Sequence, residues 1–520
     1  MSVSTQSLRG KSNASGSLTR RAFLGGAAGA MSAFASPAWV AAGDMDITRL
    51  SAIELSTAIR LRQVSCVEVM RAYLNRIERL NPVTNAIILQ VPAEQALAEA
   101  AERDRDLERG HYRGWMHGFP QAIKDLADVE GMPTTRGSPI LREATAGRDS
   151  IFVARMRAAG AIFIGKTNVP EFGLGSHTYN TVFGTTLNPW DTTKSAGGSS
   201  GGAAAALALD LLPVADGSDM MGSLRNPAGW NNVIGFRPSL GRIPNNRGQV
   251  LHHLAVSGPM ARNVPDLAML LSTMAGRDAR DPFSLTVDPG QFAGPIELDV
   301  RGKRVGWLGS YDGYLPMQDG VLETCERALQ DFERLGCIVS PVKVDFDMDR
   351  LWHAWLTLRS WFLASRMRGL YANEATRALL KPEVIWELER GLALNAMEVA
   401  EAGDVRDDWY QAVRRLFESH DFLVLPTAQL FPFEASQAWP RQVGTKEMDT
   451  YHRWMEVVVG GTLSGCPIVA VPAGFSADGL PMGLQLMGPA QGDWQVLQLA
   501  AAYEKECGWT TGRHRPPLTG

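Results

Sequence analysis

Residues 197–202 read Gly197-Gly198-Ser199-Ser200-Gly201-Gly202 and run straight into "AAAALALDLL". Six residues of Gly and Ser alone ordinarily form a slack linker. Here both flanks carry structured patterns, and an apolar, helix-forming run follows at once. A Gly-rich bend feeding a helix lets backbone N–H groups approach a ligand closely, and the helix N-terminus favours negative charge. A phosphate-binding loop of the form GxxxxGK[ST] needs a lysine where this segment continues with alanines. Gly197 to Gly201 does satisfy G-x-S-x-G, the pattern of a nucleophile elbow.

Working outward, "PVADGSDMMGSLRNPAGW" at 213–230 holds Ser223 between Gly222 and Leu224, with Asp219 before it and Arg225 after it. Glycines beside a serine let successive N–H groups converge on one point, as an oxyanion hole requires. An Asp219–Arg225 ion pair would hold such a loop. Upstream, "GFPQAIKDLADVEGMPTT" at 118–135 places a lysine in an apolar strand. Strand alternation puts Ala122, Lys124 and Leu126 on one face, with Ile123 and Asp125 on the other. A lysine among apolar neighbours is unusual, and burial favours the neutral amine that a general base needs. A free lysine, with a pKa of about 10.4, is neutral only about once in a few thousand at pH 7, so a dry site is a requirement of that role.

The wider pattern is α/β. Ser51-x-x-Glu54 and Ser65-x-x-Glu68 read as capping boxes, and Cys66, Val69, Met70, Tyr73, Leu74, Ile77 and Leu80 follow the second at helical spacing. A helix starts at Pro92 and stops at Gly110. Short apolar strands then alternate with helices: "QAIKDLADV", "SIFVARMRAAG", "AIFIG", and later "RVGWL", "VLETCERALQDFERLG", "CIVSPVKV", "FLVLP", "PIVAVPAGF" and "GLQLM". This predicts a mixed central β-sheet with helices on both faces, in one domain from 44 to 520. The Trp- and Met-rich stretch 345–420 has a helical pattern and is expected to cap the sheet.

Composition narrows the function. The N-terminal "SLTRRAFLGGAAGAMSAFASPAWVAAG" sets Arg20-Arg21 before a modest apolar run and a small-residue exit after Ala42. That is the layout of a twin-arginine export signal over 1–43, and it predicts a periplasmic or secreted protein. Its removal takes four of the 51 basic residues and leaves 47 against 55 acids, a net charge of −8. An acidic surface does not draw phosphate backbones, so nucleic acid is not an expected partner. No run of eighteen apolar residues predicts a membrane-spanning helix. The five cysteines, Cys66, Cys325, Cys337, Cys466 and Cys507, have no metal-ligand spacing and are expected to be buried and inert. His177 and the His252-His253 pair likewise lack ligand spacing, so no metal is expected, and no motif here implies an organic cofactor.

Lys124, Ser199 and Ser223, in this order and each in its own local sequence, resemble the amidase signature family of Ser–Ser–Lys hydrolases. The stretches "GKTNVPEF", "FGTTLNPWD", "GFRPSLGRIP", "SGPMARNVPDL" and "GCPIVAVPAGFSADGLPMGLQLMGP" extend the likeness over the mature chain. The resemblance implies Ser223 as nucleophile, Ser199 as bridging serine beside an unusual cis peptide bond on its Ser200 side, and Lys124 as base. It implies oxyanion and substrate contacts from Met220, Met221, Gly222 and Gly173, support from Ser200, Asp219 and Arg225, and a small-molecule amide substrate. One departure stands out: the family usually carries Gly-Gly-Ser where this chain has Met221-Gly222-Ser223. A positive φ at 221 would strain Met221; otherwise its side chain narrows the acyl pocket, which is the expectation.

Other readings stay open at this stage. A Ser–His–Asp esterase would use Ser199 with His353, His420 or His452. A subunit of the tRNA-dependent glutamine-forming amidotransferase belongs to the same family, but works in the cytoplasm. A non-catalytic periplasmic binding protein on the same scaffold would account for Met221. Pocket walls are expected within 173–184 and 345–450, where "LWHAWLTLRSWFLASRM" and "TYHRWMEVVV" form either walls or core. A homodimer is compatible with all of these readings and required by none.

Overall fold

A computed structural model describes residues 46–245, 253–508 and 514–519, so the export signal read at 1–43 lies outside the described residues. Both predicted capping boxes form. Ser51 opens α1 (Ala52–Arg60) and Ser65 opens α2 (Cys66–Thr84), each trading bonds with the glutamate three residues on. Next come β1 (Ile87–Ile88), α3 (Ala93–Glu108), β2 (Pro120–Lys124), α4 (Ile151–Ala158) and β3 (Ile162–Thr167). A small hairpin, β4 (Tyr179–Asn180) and β5 (Gly184–Thr185), leads to α5 (Gly201–Ala208), β6 (Ala215–Asp219) and α6 (Asn226–Asn231). The chain continues through β7 (Ile234–Arg237), β8 (Val256–Ala261), α7 (Val264–Met274), β9 (Arg304–Trp307), α8 (Val321–Arg334) and β10 (Ile338–Pro341). The 345–420 region is helical as expected, forming α9 (Met348–Ala372), α10 (Glu374–Arg377), α11 (Pro382–Ala393) and α12 (Ala396–Ser419). The last part is β11 (Phe422–Pro426), the hairpin β12 (Gln442–Val443) and β13 (Lys446–Glu447), α13 (Val459–Ser464), β14 (Ile468–Phe475), β15 (Pro481–Met487) and α14 (Asp493–Cys507).

Eight strands form a mixed sheet in the order β10-β9-β11-β15-β14-β7-β8-β6. Its β10-β9-β11 end is parallel and the remaining pairings are antiparallel. Every residue of β11 and β15 is buried, so both faces of the sheet centre are covered. The helices α8 and α14 pack on β14, and α6 packs on β14 and β15.

The strand that carries Lys124 does not join this sheet by a backbone ladder. β2 belongs to a three-stranded sheet, β1-β3-β2, in which it pairs in parallel with β3. It runs beside the edge strand β6, and side chains make the join. Gln121 Nε2 donates to Val214 O at 3.1 Å, and the Lys124 N–H donates to Asp216 Oδ1 at 3.0 Å. Sequence periodicity cannot distinguish such a seam from a continuous sheet.

Candidate active site

Two loops and one strand end converge on a cavity of about 330 Å³, within the range of small-molecule pockets. Lys124, Ser199, Ser223, Met220, Met221 and Gly173 all line it. The part played by the Gly/Ser run is settled locally by α5, which begins at Gly201 and is buried along nearly its whole length. A Cβ on Gly202 would lie 2.4 Å from the Asn168 N and 2.6 Å from the Ala86 O, so only glycine lets this helix start press against β3. The run is therefore packed structure. The Gly198–Ser199 peptide is cis, on the opposite side of Ser199 from the one expected.

Lys124 is 1% exposed. Its Nζ donates to Ser199 Oγ at 2.9 Å, to Ser200 Oγ at 2.7 Å and to the Ser218 carbonyl at 3.2 Å. Ser200, expected only as support, is thus a direct partner of the amine. Leu126 shares the cavity wall with Lys124, while Asp125 turns away to Thr135 and Gly137, as strand alternation predicts. Behind Lys124, burial pushes the Asp216 carboxyl up to about 6, against the opposing pull of the Lys124 N–H and the Lys166 and Lys124 charges.

The loop after β6 is held from below. Asp219 takes Arg225 Nε at 2.9 Å and Nη2 at 3.0 Å, together with Arg237 Nη1 at 3.1 Å. Burial alone would raise the Asp219 carboxyl, but the two guanidiniums outweigh it and hold the group far below the usual carboxylate range. Arg225 also reaches the Val458 carbonyl and Thr462 at α13, and Gln485 in β15, tying the loop to two distant segments. The expected Asp219–Arg225 pair is present, and Arg237 is an addition that the sequence reading did not find.

Gly222 requires a correction. Its N–H donates to Asp219 Oδ1 at 2.9 Å, so it is turned inward and away from the cavity. It carries the positive φ of the loop, 78°, and a Cβ there would meet Val458 at 2.9 Å. Met221 is therefore spared left-handed backbone; it is 2% exposed and borders the cavity. Among the described residues, none accepts from the N–H groups of Met220, Met221 or Ser223. Gly173 lies beside Ser199, since a Cβ on it would sit 3.6 Å from Ser199 Oγ. Ser176 joins the two serine loops: its Oγ lies 2.6 Å from the Gly198 O and 2.7 Å from Asn226 Oδ1.

The remaining walls divide the Trp/Met-rich stretches. From α9, Arg359, Phe362, Leu363, Arg366 and Met367 line the cavity, as does Met455, whereas Trp352, Trp355 and Trp454 are core. Among the described residues no histidine lines the cavity. His353 bonds the Asp349 carbonyl, and His452 is fully buried against Tyr451, Trp352 and Trp386. Four cysteines are buried, as expected, but Cys507 is half-exposed at the end of α14. No helix among the described residues is long and apolar enough to cross a membrane.

The amidase family model matches residues 68–497. The acylamidase of Rhodococcus erythropolis is 35% identical over 473 residues, covering 88% of this chain and 96% of that protein. A glutamyl-tRNA(Gln) amidotransferase subunit from Thermosynechococcus vestitus is 32% identical, covering 88% and 98%. Among solved structures, a bacterial aryl acylamidase of the amidase signature enzymes superposes with a TM-score of 0.83 at 30% identity, covering 89% of this chain and 99% of that one. The peptide amidase of Stenotrophomonas maltophilia gives 0.75 at 26% identity, covering 90% and 99%. With that match over most of its length and the large mixed sheet the family shares, this chain belongs to the amidase signature family, as a hydrolase acting on amide C–N bonds.

Proposed function

We propose that the chain hydrolyses a small amide through an acyl-enzyme on Ser223, with Ser199 as proton bridge and Lys124 as base. The observation that carries this reading is the buried contact of Lys124 Nζ with Ser199 Oγ, 2.9 Å, on a cavity wall shared with Ser223. A neutral amine has two N–H bonds and one lone pair. The Ser218 carbonyl and Ser200 Oγ can take the two N–H bonds, which leaves the lone pair for the Ser199 hydroxyl proton. Ser199 then accepts the proton of Ser223, whose oxygen attacks the amide carbon. The same relay returns a proton to the departing amine, and water releases the acid by the reverse path. The N–H groups of Met220, Met221 and Ser223 are the donors available to the oxyanion, and loss of one such donor costs about 3–4 kcal/mol of barrier. Gly222 supports them by fixing the turn.

A His-based elbow at Ser199 finds no support, because Lys124 occupies the position its histidine would need. The apolar walls from Leu126, Phe172, Phe362 and Met367, together with acylamidase relatives, favour an amide with a hydrocarbon or aromatic arm. The amidotransferase relatives make free glutamine the necessary comparison substrate. We also propose export through the twin-arginine route, which Arg20-Arg21→Lys-Lys would abolish in a cell fractionation.

The test is a fluorophosphonate followed by mass mapping of the labelled serine. Label on Ser223 that is absent from folded Lys124→Ala protein is the expected result. Label on Ser199 with Lys124 dispensable would overturn the mechanism. A folded protein that takes no label would favour a binding role.

A further inference from the structure

We propose that the substrate carries an uncharged oxygen acceptor, a second carbonyl on its acyl or its amine arm, that takes a hydrogen bond from Nη1 of Arg359 at the cavity wall. The inference rests on that cavity being the amide-hydrolysing site. Arg359 belongs to α9, lines the cavity and is only 4% exposed. Two of its three nitrogens are held behind the wall. Nε donates to Glu387 Oε1 at 2.6 Å, and Nη2 donates to the Tyr451 hydroxyl at 2.7 Å. That hydroxyl donates in turn to the same Glu387 oxygen at 2.8 Å, while Ser360 Oγ donates to the other at 2.7 Å. Side chains from α9, α11 and the segment before α13 thus close a ring that fixes the plane of the guanidinium. Glu387 and Tyr451 both stand outside the lining of the cavity.

The remaining corner, Nη1, turns to the cavity side. It lies 3.5 Å from Met220 Sδ, and Met220 borders the cavity from the loop after β6. A thioether is a weak acceptor, whereas this nitrogen carries two strong N–H donors. The donating power of Nη1 is therefore underused where the guanidinium meets the cavity. Phe362, Leu363 and Met455 line the same cavity, and a hydrogen bond made among such apolar groups is electrostatically stronger than one made in water. Charge decides the class of acceptor. Glu387 already balances the guanidinium at 2.6 Å, so the ring offers a directed donor without an unmatched charge. A carbonyl oxygen suits that donor, and a carboxylate is not required. Because the ring holds the guanidinium in one orientation, little side-chain freedom is left to lose when a substrate docks.

Binding and turnover test this separately. Calorimetry on Ser223→Ala protein would compare 4-oxo-N-phenylpentanamide with N-phenylpentanamide, and 4-acetylacetanilide with 4-ethylacetanilide. Each pair differs only in a ketone carbonyl exchanged for a methylene. In at least one pair the ketone should bind at least about tenfold more tightly, as a hydrogen bond from a charged donor allows. In the same background, Arg359→Met combined with Glu387→Gln removes the donor and its counter-charge together, so no buried carboxylate is stranded, and the ratio within that pair should fall to about one. Arg359→Lys keeps the charge but lacks the fork and should lose most of the ratio. It decides the matter if circular dichroism shows the combined variant to be unfolded. Equal affinity within both pairs would overturn the proposal. So would a ratio that persists in the variants while both members of the pair weaken alike, which would make Arg359 a purely structural group. Where the acyl pair shows the contrast, 4-oxopentanoyl and pentanoyl p-nitroanilides report turnover by protein with Ser223 intact, and the ratio of their kcat/KM values should fall about tenfold in the arginine variants. Failure to cleave either would count against the hydrolytic mechanism, whereas the binding contrast judges the acceptor by itself.

Discussion

Strand β6 carries two buried carboxylates three residues apart, and strand alternation sends them to opposite sides. On one side Asp219 receives two arginines and the N–H groups of Gly222 and Leu224. On the other, Asp216 receives the Lys124 N–H, with the Lys166 and Lys124 charges acting on it from further off. The first carboxyl is driven far down and the second is pushed up to about 6. A loop whose N–H groups must point one way is anchored by a permanent, over-supplied ion cluster. The side facing Lys124 is bonded lightly, and its carboxyl is pushed up to about 6. The ion cluster and the lysine proposed as base thus lie on opposite sides of one strand.

The comparison can be broken first at the amine. Lys124→Ala should lower kcat by about a thousandfold or more, as loss of one member of a concerted relay does, while circular dichroism stays native. Equal loss of fold and activity would erase the division of labour. Asp219→Asn strikes the other side: an uncompensated arginine pair in the core should cost about 3–5 kcal/mol, read as a lower midpoint in urea, with activity falling alongside. A stable but inactive Asp219→Asn protein would mean that the cluster does chemistry as well as support.

The pH dependence sharpens the contrast, because the two carboxyls act with opposite sign. Asp216 has a raised folded pKa, so its contribution to stability is complete below its ordinary value of 3.8 and is lost as the pH rises through about 6. That shift corresponds to about 3 kcal/mol. Asp219, with a lowered pKa, contributes above its ordinary value and loses the contribution in acid. Urea titrations of the parent and Asp216→Asn proteins from pH 4 to pH 8 should converge as the pH falls and diverge as it rises, with the asparagine variant relatively more stable at pH 8. A constant difference would refute the assignment. The smallest effect is expected at Gly222→Ala, where the positive φ and the Val458 methyls should together cost about 1–3 kcal/mol. Val458→Ala should recover the steric share and leave the conformational share.

What could be read from the sequence follows the range of the interactions involved. Local rules place the capped helices, the apolar strand around Lys124 and the Gly/Ser bend, because each depends on residues only a few positions apart. The Asp219–Arg225 pair is legible for the same reason, being six residues apart. Arg359 meets Glu387 and Tyr451 from another helix and a distant loop, and Arg225 meets Gln485 across 260 residues, so neither has a local signature. The inward turn of the Gly222 N–H was hidden differently. A glycine next to a serine fits both an open donor and a buried one, and only the position of Asp219 decides between them.

The seam between β2 and β6 has a spectroscopic consequence. At the lysine end of that seam the amide hydrogen bond has an ionisable oxygen as its acceptor, where a ladder would supply a carbonyl. The nitrogen and proton resonances of the Lys124 amide should therefore shift with a midpoint near pH 6, following the Asp216 carboxyl. One backbone signal would then report the charge state behind the Lys124 amine without any substrate present.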